Sequence, residues 1–121
     1  MMIEINNVKQ YEDEGFRRWF SDDYFDLIIW YNDDKSIYGF QLCYDKQETE
    51  RSLTWIAGRG FSHNKIDAGE APGHTKMSPI LVPDGLFDRD TIAERFKHTS
   101  QQIDREISQF IYSKLIMYPD A

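Results

Sequence analysis

"DYFDLIIWYNDDKSIYGFQLCYD", residues 23–45, is the segment that most strongly indicates the fold. It contains two runs rich in aromatic and β-branched residues, and the polar residues Asp33, Asp34 and Lys35 separate them. This arrangement predicts a β-hairpin. Side chains alternate across a sheet, so a turn with an even number of residues puts one apolar set from both strands on the same face. The members of that set are Phe25, Leu27, Ile29, Tyr31, Tyr38, Phe40, Leu42 and Tyr44.

A third strand is predicted for "RSLTWIAG", residues 51–58, which follows a short polar loop. Its alternate apolar residues continue the core face of the hairpin, so the other face of the predicted sheet can be assigned as well. That second face is neither fully apolar nor fully polar. It consists of Asp26, Ile28, Trp30, Gly39, Gln41, Cys43, Thr54 and Ile56. In one register Trp30 lies across from Gly39, and its ring would cover the bare glycine backbone.

Three further segments are weaker strand candidates. "FRRWF" at 16–20 and "MIEIN" at 2–6 precede the hairpin, and one of them could supply a fourth strand. "ILV" at 80–82 is flanked by prolines, which favours a short edge strand. Between residues 58 and 85, glycine and proline recur and interrupt regular structure.

The C-terminal part of the chain is predicted to form two helices. Thr91 with Glu94, and Thr99 with Gln102, have the spacing of capping boxes ahead of a short and a longer helix. The longer helix has an apolar stripe at three- and four-residue spacing. The members of the stripe are Ile103, Ile107, Phe110, Ile111 and Leu115. Pro119 marks its expected end.

These patterns predict a single α+β domain over residues 1–121, because strands and helices occupy separate parts of the chain. We expect a strand-rich part at 1–60, an irregular loop segment at 61–89 and a helical part at 90–118. The expected architecture is an antiparallel β-meander of about three to five strands. The C-terminal helix pair should pack on one face of this sheet.

The charge of the chain makes nucleic acid an unfavourable partner. The formal net charge is −7 and the pI is about 4.8, so a phosphate backbone would be repelled unless basic residues cluster. The adjacent pair Arg17 and Arg18 is flanked by acidic residues on both sides. We therefore expect these arginines to pair with carboxylates or to lie over Trp19.

Neither an export signal nor a membrane-spanning segment is recognised. The N-terminus has no long apolar run behind a basic start. The apolar run "LIIWY" at 27–31 is too short to cross a bilayer. The single cysteine cannot form an internal disulfide. These features predict a cytoplasmic protein without membrane contact.

Four side chains of metal-ligand type lie in "FSHNKIDAGEAPGH", residues 61–74. They are His63, Asp67, Glu70 and His74. Such groups bind divalent metals, but their spacing matches no metal motif, and the glycines and proline oppose one continuous helix. The preferred interpretation is a solvated connection. A divalent-metal site is the weaker alternative, and no cofactor is predicted.

Cys43 and Arg59 are isolated candidates for chemistry. A reactive thiolate needs a neighbour that lowers its pKa, whereas the predicted neighbour Asp26 would raise it. Cys43 is therefore interpreted as a small buried residue. Arg59 lies between Gly58 and Gly60 after a strand and could meet an anion, but no full phosphate-binding motif surrounds it. A turn is the simpler interpretation of the two glycines.

The second face offers three interpretations. Its polar residues, framed by Trp30 and Ile56, suit a small ligand. They are Asp26, Gln41, Cys43 and Thr54. The same composition suits a subunit interface. In the third and preferred interpretation, residues 61–88 fold back and cover this face.

Two functional hypotheses follow. The favoured hypothesis is a noncatalytic protein-interaction or assembly domain, including a homodimer, that uses Trp30, Ile56 and the last helix. It is favoured because no nucleophile–base pair is recognised, so an enzyme is not the first expectation. The alternative is a protein, or an enzyme, that binds a small molecule or a divalent metal through residues 61–74 and the second face. That alternative requires His63 or Asp67 to approach the polar residues of the second face.

Overall fold

The computed structural model describes residues 1–6, 10, 16–67, 80–83 and 87–118. Within these residues the chain forms seven strands and two α-helices. A 3₁₀ turn at Ser100–Gln102 joins the two helices. The strands are β1 (Ile3–Glu4), β2 (Phe16–Ser21), β3 (Phe25–Tyr31), β4 (Ile37–Tyr44), β5 (Arg51–Ile56), β6 (Gly60–Asp67) and β7 (Ile80–Pro83). The helices are α1 (Arg89–Thr99) and α2 (Arg105–Met117).

The strands form one antiparallel sheet in which each strand pairs with the next along the chain. The predicted α+β class, the meander and the helix pair are therefore confirmed. The predicted number of three to five strands is too low. Both weak N-terminal candidates are strands, and "ILV" lies in the edge strand β7.

The turn after β5 explains why β6 was missed in the segment predicted as irregular, 61–89. Gly58 and Gly60 have φ values of +82° and +85°, and Arg59 N–H donates to the carbonyl of Ile56 at 2.9 Å. This tight turn reverses the chain, and β6 runs back along β5. Glycine allows these backbone conformations. The predicted irregular segment is thus wrong over β6, because Gly58 and Gly60, which precede it, form a hairpin turn.

The β3–β4 hairpin has the predicted register from its open end up to Trp30. A β-bulge then shifts the register, so that Tyr31 pairs with Ile37. Ile37 packs against the core, whereas the ring of Tyr38 stacks on that of Trp30, with centroids 6.3 Å apart. The predicted place of Tyr38 in the core set is wrong, because an extra residue in one strand re-aims the side chains beyond it.

The core lies between one face of the sheet and the two helices. Phe25 of β3 meets Phe96 of α1 edge to face at 6.0 Å, and Trp55 of β5 meets Phe110 of α2 at 5.7 Å. The buried sheet residues on this side include Phe20, Phe25, Leu27, Ile29, Phe40, Leu42, Leu53 and Trp55. The buried helix residues are Ile92, Ala93, Phe96, Ile107, Ile111 and Leu115. Both helices therefore cover the same face of the sheet.

The predicted capping boxes are not used. Thr91 lies inside α1, and α2 begins after Asp104, whose carboxylate accepts the backbone N–H of Glu106 at 3.0 Å. The Thr99 hydroxyl donates to the carboxylate of Asp22 instead of capping a helix. Thr99 thus makes a tertiary contact with Asp22 instead of the local capping contact that its spacing to Gln102 predicts. Neither α1 nor α2, the two helices described, is long and apolar enough to cross a membrane.

Candidate functional site

The second face lies opposite the helices and is assembled by the register of β2 to β5. Three rows cross β3, β4 and β5 side by side. The rows are Asp26–Cys43–Ser52, Ile28–Gln41–Thr54 and Trp30–Gly39–Ile56. The structure thus brings together five of the residues predicted for a ligand site, and Trp19, Ser21 and Ser52 share their face. Most of these side chains are half-buried.

Gly39 is the point of closest packing on the second face. A Cβ placed there would lie 2.7 Å from Cδ1 of Ile56, 2.8 Å from the carbonyl oxygen of Trp55 and 3.3 Å from Cε3 of Trp30. The predicted cover of this glycine by the Trp30 ring is therefore confirmed. Tyr38 stacks on the same ring. One end of the second face is an aromatic and aliphatic patch.

The other end of the second face is polar, and its charges are paired. Asp26 accepts a hydrogen bond from Ser21 at 2.6 Å and lies 3.1 Å from the ammonium of Lys46. Gln41 donates to the hydroxyl of Thr54 at 3.2 Å. Lys46 was not predicted for this site, because it follows β4 in a turn whose path is not defined by the periodicity of the strands. The ion pair offsets the charge of Asp26, and the carboxylate of Glu50 lies nearby.

Cys43 has the environment of an unreactive thiol. Burial, followed by the nearby carboxylates of Glu50 and Asp26, raises the pKa of the Cys43 thiol to about 12. A thiol with that pKa is protonated at neutral pH, and the thiolate is the nucleophilic form. Burial and Asp26 also raise the pKa of Glu50. This end of the face therefore disfavours negative charge.

Two buried polar atoms on the second face have no hydrogen-bond partner among the described residues. They are Nε1 of Trp19 and Oγ of Ser52, and Ser52 is fully buried. A buried polar group without a partner costs about 1–3 kcal/mol. Neither residue was predicted as part of a site, because residue type does not show whether a polar atom has a hydrogen-bond partner.

His63 lies on the other side of the sheet, in the core. It is 8% exposed, and its Nε2 is 2.5 Å from the hydroxyl of Tyr44. The two rings are parallel with centroids 5.9 Å apart, and the Phe87 ring meets His63 edge to face. Because His63 pairs with Leu53 across β5 and β6, it shares the face of the core residues. His63 therefore does not make the approach to the second face that the alternative hypothesis requires of His63 or Asp67.

The remaining predicted residues do not join a common site in the described structure. Asp67 ends β6, where its backbone pairs with β7, while Glu70 and His74 lie outside the described residues. Within the part of the chain that the structure describes, no three His, Cys, Asp or Glu side chains are grouped so that they could hold a metal ion. Arg59 is exposed in the β5–β6 turn.

Comparison with known proteins gives no homologue. No protein-family model matches the chain, and neither a curated protein nor a solved structure matches it. The function is therefore inferred from side-chain geometry and charge.

Proposed function

We propose that the chain is a noncatalytic protein-interaction domain that forms a homodimer through its second face. The observation that carries this proposal is the Trp30–Tyr38 stack beside Ile28 and Ile56, on the face opposite both helices. All four side chains are only half-buried in the single chain. Aromatic side chains are enriched in protein interfaces, and contiguous apolar surface commonly marks a contact site.

The distribution of charge supports association of two copies through this face. Two chains of net charge −7 repel each other at a distance. On the second face, however, Asp26 is paired with Lys46, its neighbours Cys43 and Ser52 are neutral, and Arg17 opposite Trp30 is positive. Interface cores are depleted in charged residues. Two copies would therefore meet with the least repulsion at this surface.

Face-to-face packing of two sheets is an arrangement that two copies of this surface could form. Packed sheets lie about 10 Å apart, and their inner faces interdigitate. In a two-fold dimer the same patch is used on both subunits. The half-buried row of Trp30 and Ile56 on each copy would then supply the apolar centre, and the Asp26–Lys46 pair would lie toward its rim.

The chemistry of the one cysteine supports a noncatalytic role. The raised pKa of Cys43 keeps its thiol protonated, so it lacks the activation that a catalytic nucleophile needs. The hypothesis of a metal site in residues 61–74 receives no comparable support. Its first ligand, His63, already contacts the Tyr44 hydroxyl through Nε2 and lies in the core.

Sedimentation over a concentration series tests the proposal. The wild-type chain of 14.4 kDa should sediment as a dimer, and Trp30→Lys should sediment as a monomer because it places a charge in the apolar centre. Ile116→Lys is the matched control, since Ile116 is 45% exposed on α2, away from the second face. Circular dichroism of each variant verifies that the fold is retained.

Two results would contradict the proposal. A wild-type chain that stays monomeric at the highest attainable concentration excludes the homodimer. If Ile116→Lys dissociates the dimer and folded Trp30→Lys does not, the interface lies on α2 and the second face is not the contact surface.

A further inference from the structure

A cleft at the end of β2 and β3 is separate from the second face. Its volume is about 510 Å³, and its mostly apolar wall is formed by Phe16, Arg18, Tyr31, Asn32, Asp33 and Lys35. This volume is within the range of small-molecule sites, about 300–1,000 Å³. Phe16 pairs with Tyr31, and Arg18 pairs with the buried core residue Ile29. By alternation the cleft therefore opens on the side of the sheet that faces the helices.

Two aromatic rings form the apolar part of the cleft. The centroids of Phe16 and Tyr31 are 5.8 Å apart, and their planes are inclined by 45°. Phe16 is 55% exposed, which is high for a large apolar side chain in a strand. Tyr31 is half-buried against the core, and Arg18 lies beside it in the cleft wall. A flat apolar group could therefore lie against both rings.

Arg18 is held in a fixed orientation at this cleft. Its Nε donates to Oε2 of Glu4 at 2.9 Å, and its Nη2 donates to Oε1 at 2.7 Å. This two-point contact restrains the guanidinium plane and leaves further N–H donors. The hydrogen bonds from Arg18 also hold the pKa of Glu4 below its usual value, so the pair stays charged at neutral pH.

Lys35 occupies a backbone position that normally favours glycine or asparagine. Its φ is +72°, in the left-handed region. Hydrogen bonds fix the turn: Asn32 N–H donates to the carbonyl of Ser36 at 2.8 Å, and Lys35 N–H donates to the carbonyl of Asn32 at 2.9 Å. Among the described residues, the Lys35 ammonium has no ion-pair partner. Strained backbone positions of this kind are enriched at functional sites.

We propose that this cleft binds a small monocarboxylate with a flat apolar body, which lies on Phe16 and Tyr31 and directs its carboxylate to Lys35 and Arg18. Charge complementarity selects the single negative charge. Arg18 is already neutralised by its pair with Glu4, so the cation left to meet a ligand is Lys35, which has no ion-pair partner among the described residues. The carboxylate of Asp33 also lies in the cleft wall, so one negative charge matches the wall better than two. The site is independent of the proposed homodimer, because it lies on the other side of the sheet.

Phenylpropionate is a suitable probe, and phenylpropionamide is its neutral counterpart of nearly equal shape. Titration followed by amide chemical shifts should show saturable binding of the carboxylate, with changes at residues 16–18 and 31–35. The amide should bind about tenfold or more weakly, because it lacks the charge that Lys35 recognises. Lys35→Gly should weaken binding of the carboxylate by a similar factor while raising the melting temperature, since glycine relieves the turn.

Phe16→Ser is the second variant, and it should weaken the binding of the carboxylate and of the amide alike. The proposal is overturned if phenylpropionate gives no saturable shifts, or if the amide binds as well as the carboxylate. It is also overturned if folded Lys35→Gly binds phenylpropionate with unchanged affinity. A rise in the melting temperature of Lys35→Gly separates lost recognition from lost folding.

Discussion

Trp30 lies directly opposite Gly39 in the β3–β4 ladder, and its ring closes over the glycine backbone. The same glycine is approached from the other side by Ile56 and by the carbonyl oxygen of Trp55. This close contact puts the Trp30 ring next to Ile56, although the two residues belong to strands separated by β4. The packing at the aromatic end of the second face therefore requires glycine at position 39, where a side chain would clash with Ile56 and with the Trp55 carbonyl oxygen.

Gly39→Ala should destabilise the protein. The new Cβ would lie 2.8 Å from a backbone oxygen, which cannot move as freely as the nearby end of Ile56. Overpacking of this kind costs about 1–3 kcal/mol, and this cost exceeds the entropy gained by replacing a strand glycine. Urea unfolding measures the difference. Gly58→Asn is the control, because its site is open and asparagine tolerates the left-handed region. An unchanged midpoint for Gly39→Ala would contradict the packing shown here.

The hairpin of β3 and β4 shows what periodicity can predict and where it stops. Alternation of apolar residues was sufficient to assign Leu27 and Leu42 to one face and Gln41 to the other, because a slip by one residue would expose the whole apolar set. The bulge next to Trp30 was not predictable. It changes the direction of Tyr38 without changing the composition of either strand.

The candidate site was predicted less completely than the fold. The rows of the second face follow from strand register, so Asp26 and Cys43 could be placed together in advance. The position of His63 could not, because the Gly58–Gly60 turn was not expected to start a further strand. Once β6 pairs with β5, alternation puts His63 among the core residues. Its sequence neighbourhood suggested a ligand, whereas its strand gives it a partner in Tyr44.

Ser52→Ala should leave stability unchanged or raise it by up to about 1 kcal/mol. The hydroxyl of Ser52 is fully buried and has no partner among the described residues, so its removal relieves a desolvation cost. Thr54→Ala is the contrasting variant on the same strand and face. It should lower stability by about 0.5–1 kcal/mol, because the Thr54 hydroxyl accepts a bond from Gln41. Equal destabilisation by both variants would show that the Ser52 hydroxyl is satisfied in solution.

Cys43 should resist alkylation in the folded protein. With a thiol pKa of about 12, its thiolate fraction at pH 7 is roughly a thousandfold lower than that of an unfolded chain. Iodoacetamide labelling followed by mass spectrometry should therefore be slow in buffer and fast in urea. Thr54→Ala serves as a control for local opening, because it changes a neighbouring hydrogen bond without changing the thiol. Rapid labelling of the folded wild-type chain would contradict the raised pKa.

The contact between Thr99 and Asp22 should make stability depend on pH. Burial by itself would raise the pKa of Asp22, but the Thr99 hydroxyl and the backbone N–H groups of Phe25 and Tyr24 donate to its carboxylate and hold the pKa below its usual value. A carboxyl with a lowered folded-state pKa adds stability above its unfolded value of about 3.9. That contribution disappears as pH falls through the lower folded-state pKa.

Thr99→Val removes one of these donors while keeping the shape of the side chain, so it should be less stable than the wild type at pH 7. The difference between the two proteins should shrink as the pH falls through the lowered folded-state pKa of Asp22, because its carboxylate then becomes protonated and the bond from Thr99 weakens. Thermal unfolding from pH 7 to pH 2.5 measures this, with Thr91→Val as the control on the exposed side of α1. A difference that stays constant over this range would show that the Thr99 hydroxyl acts by packing and not through the charge of Asp22.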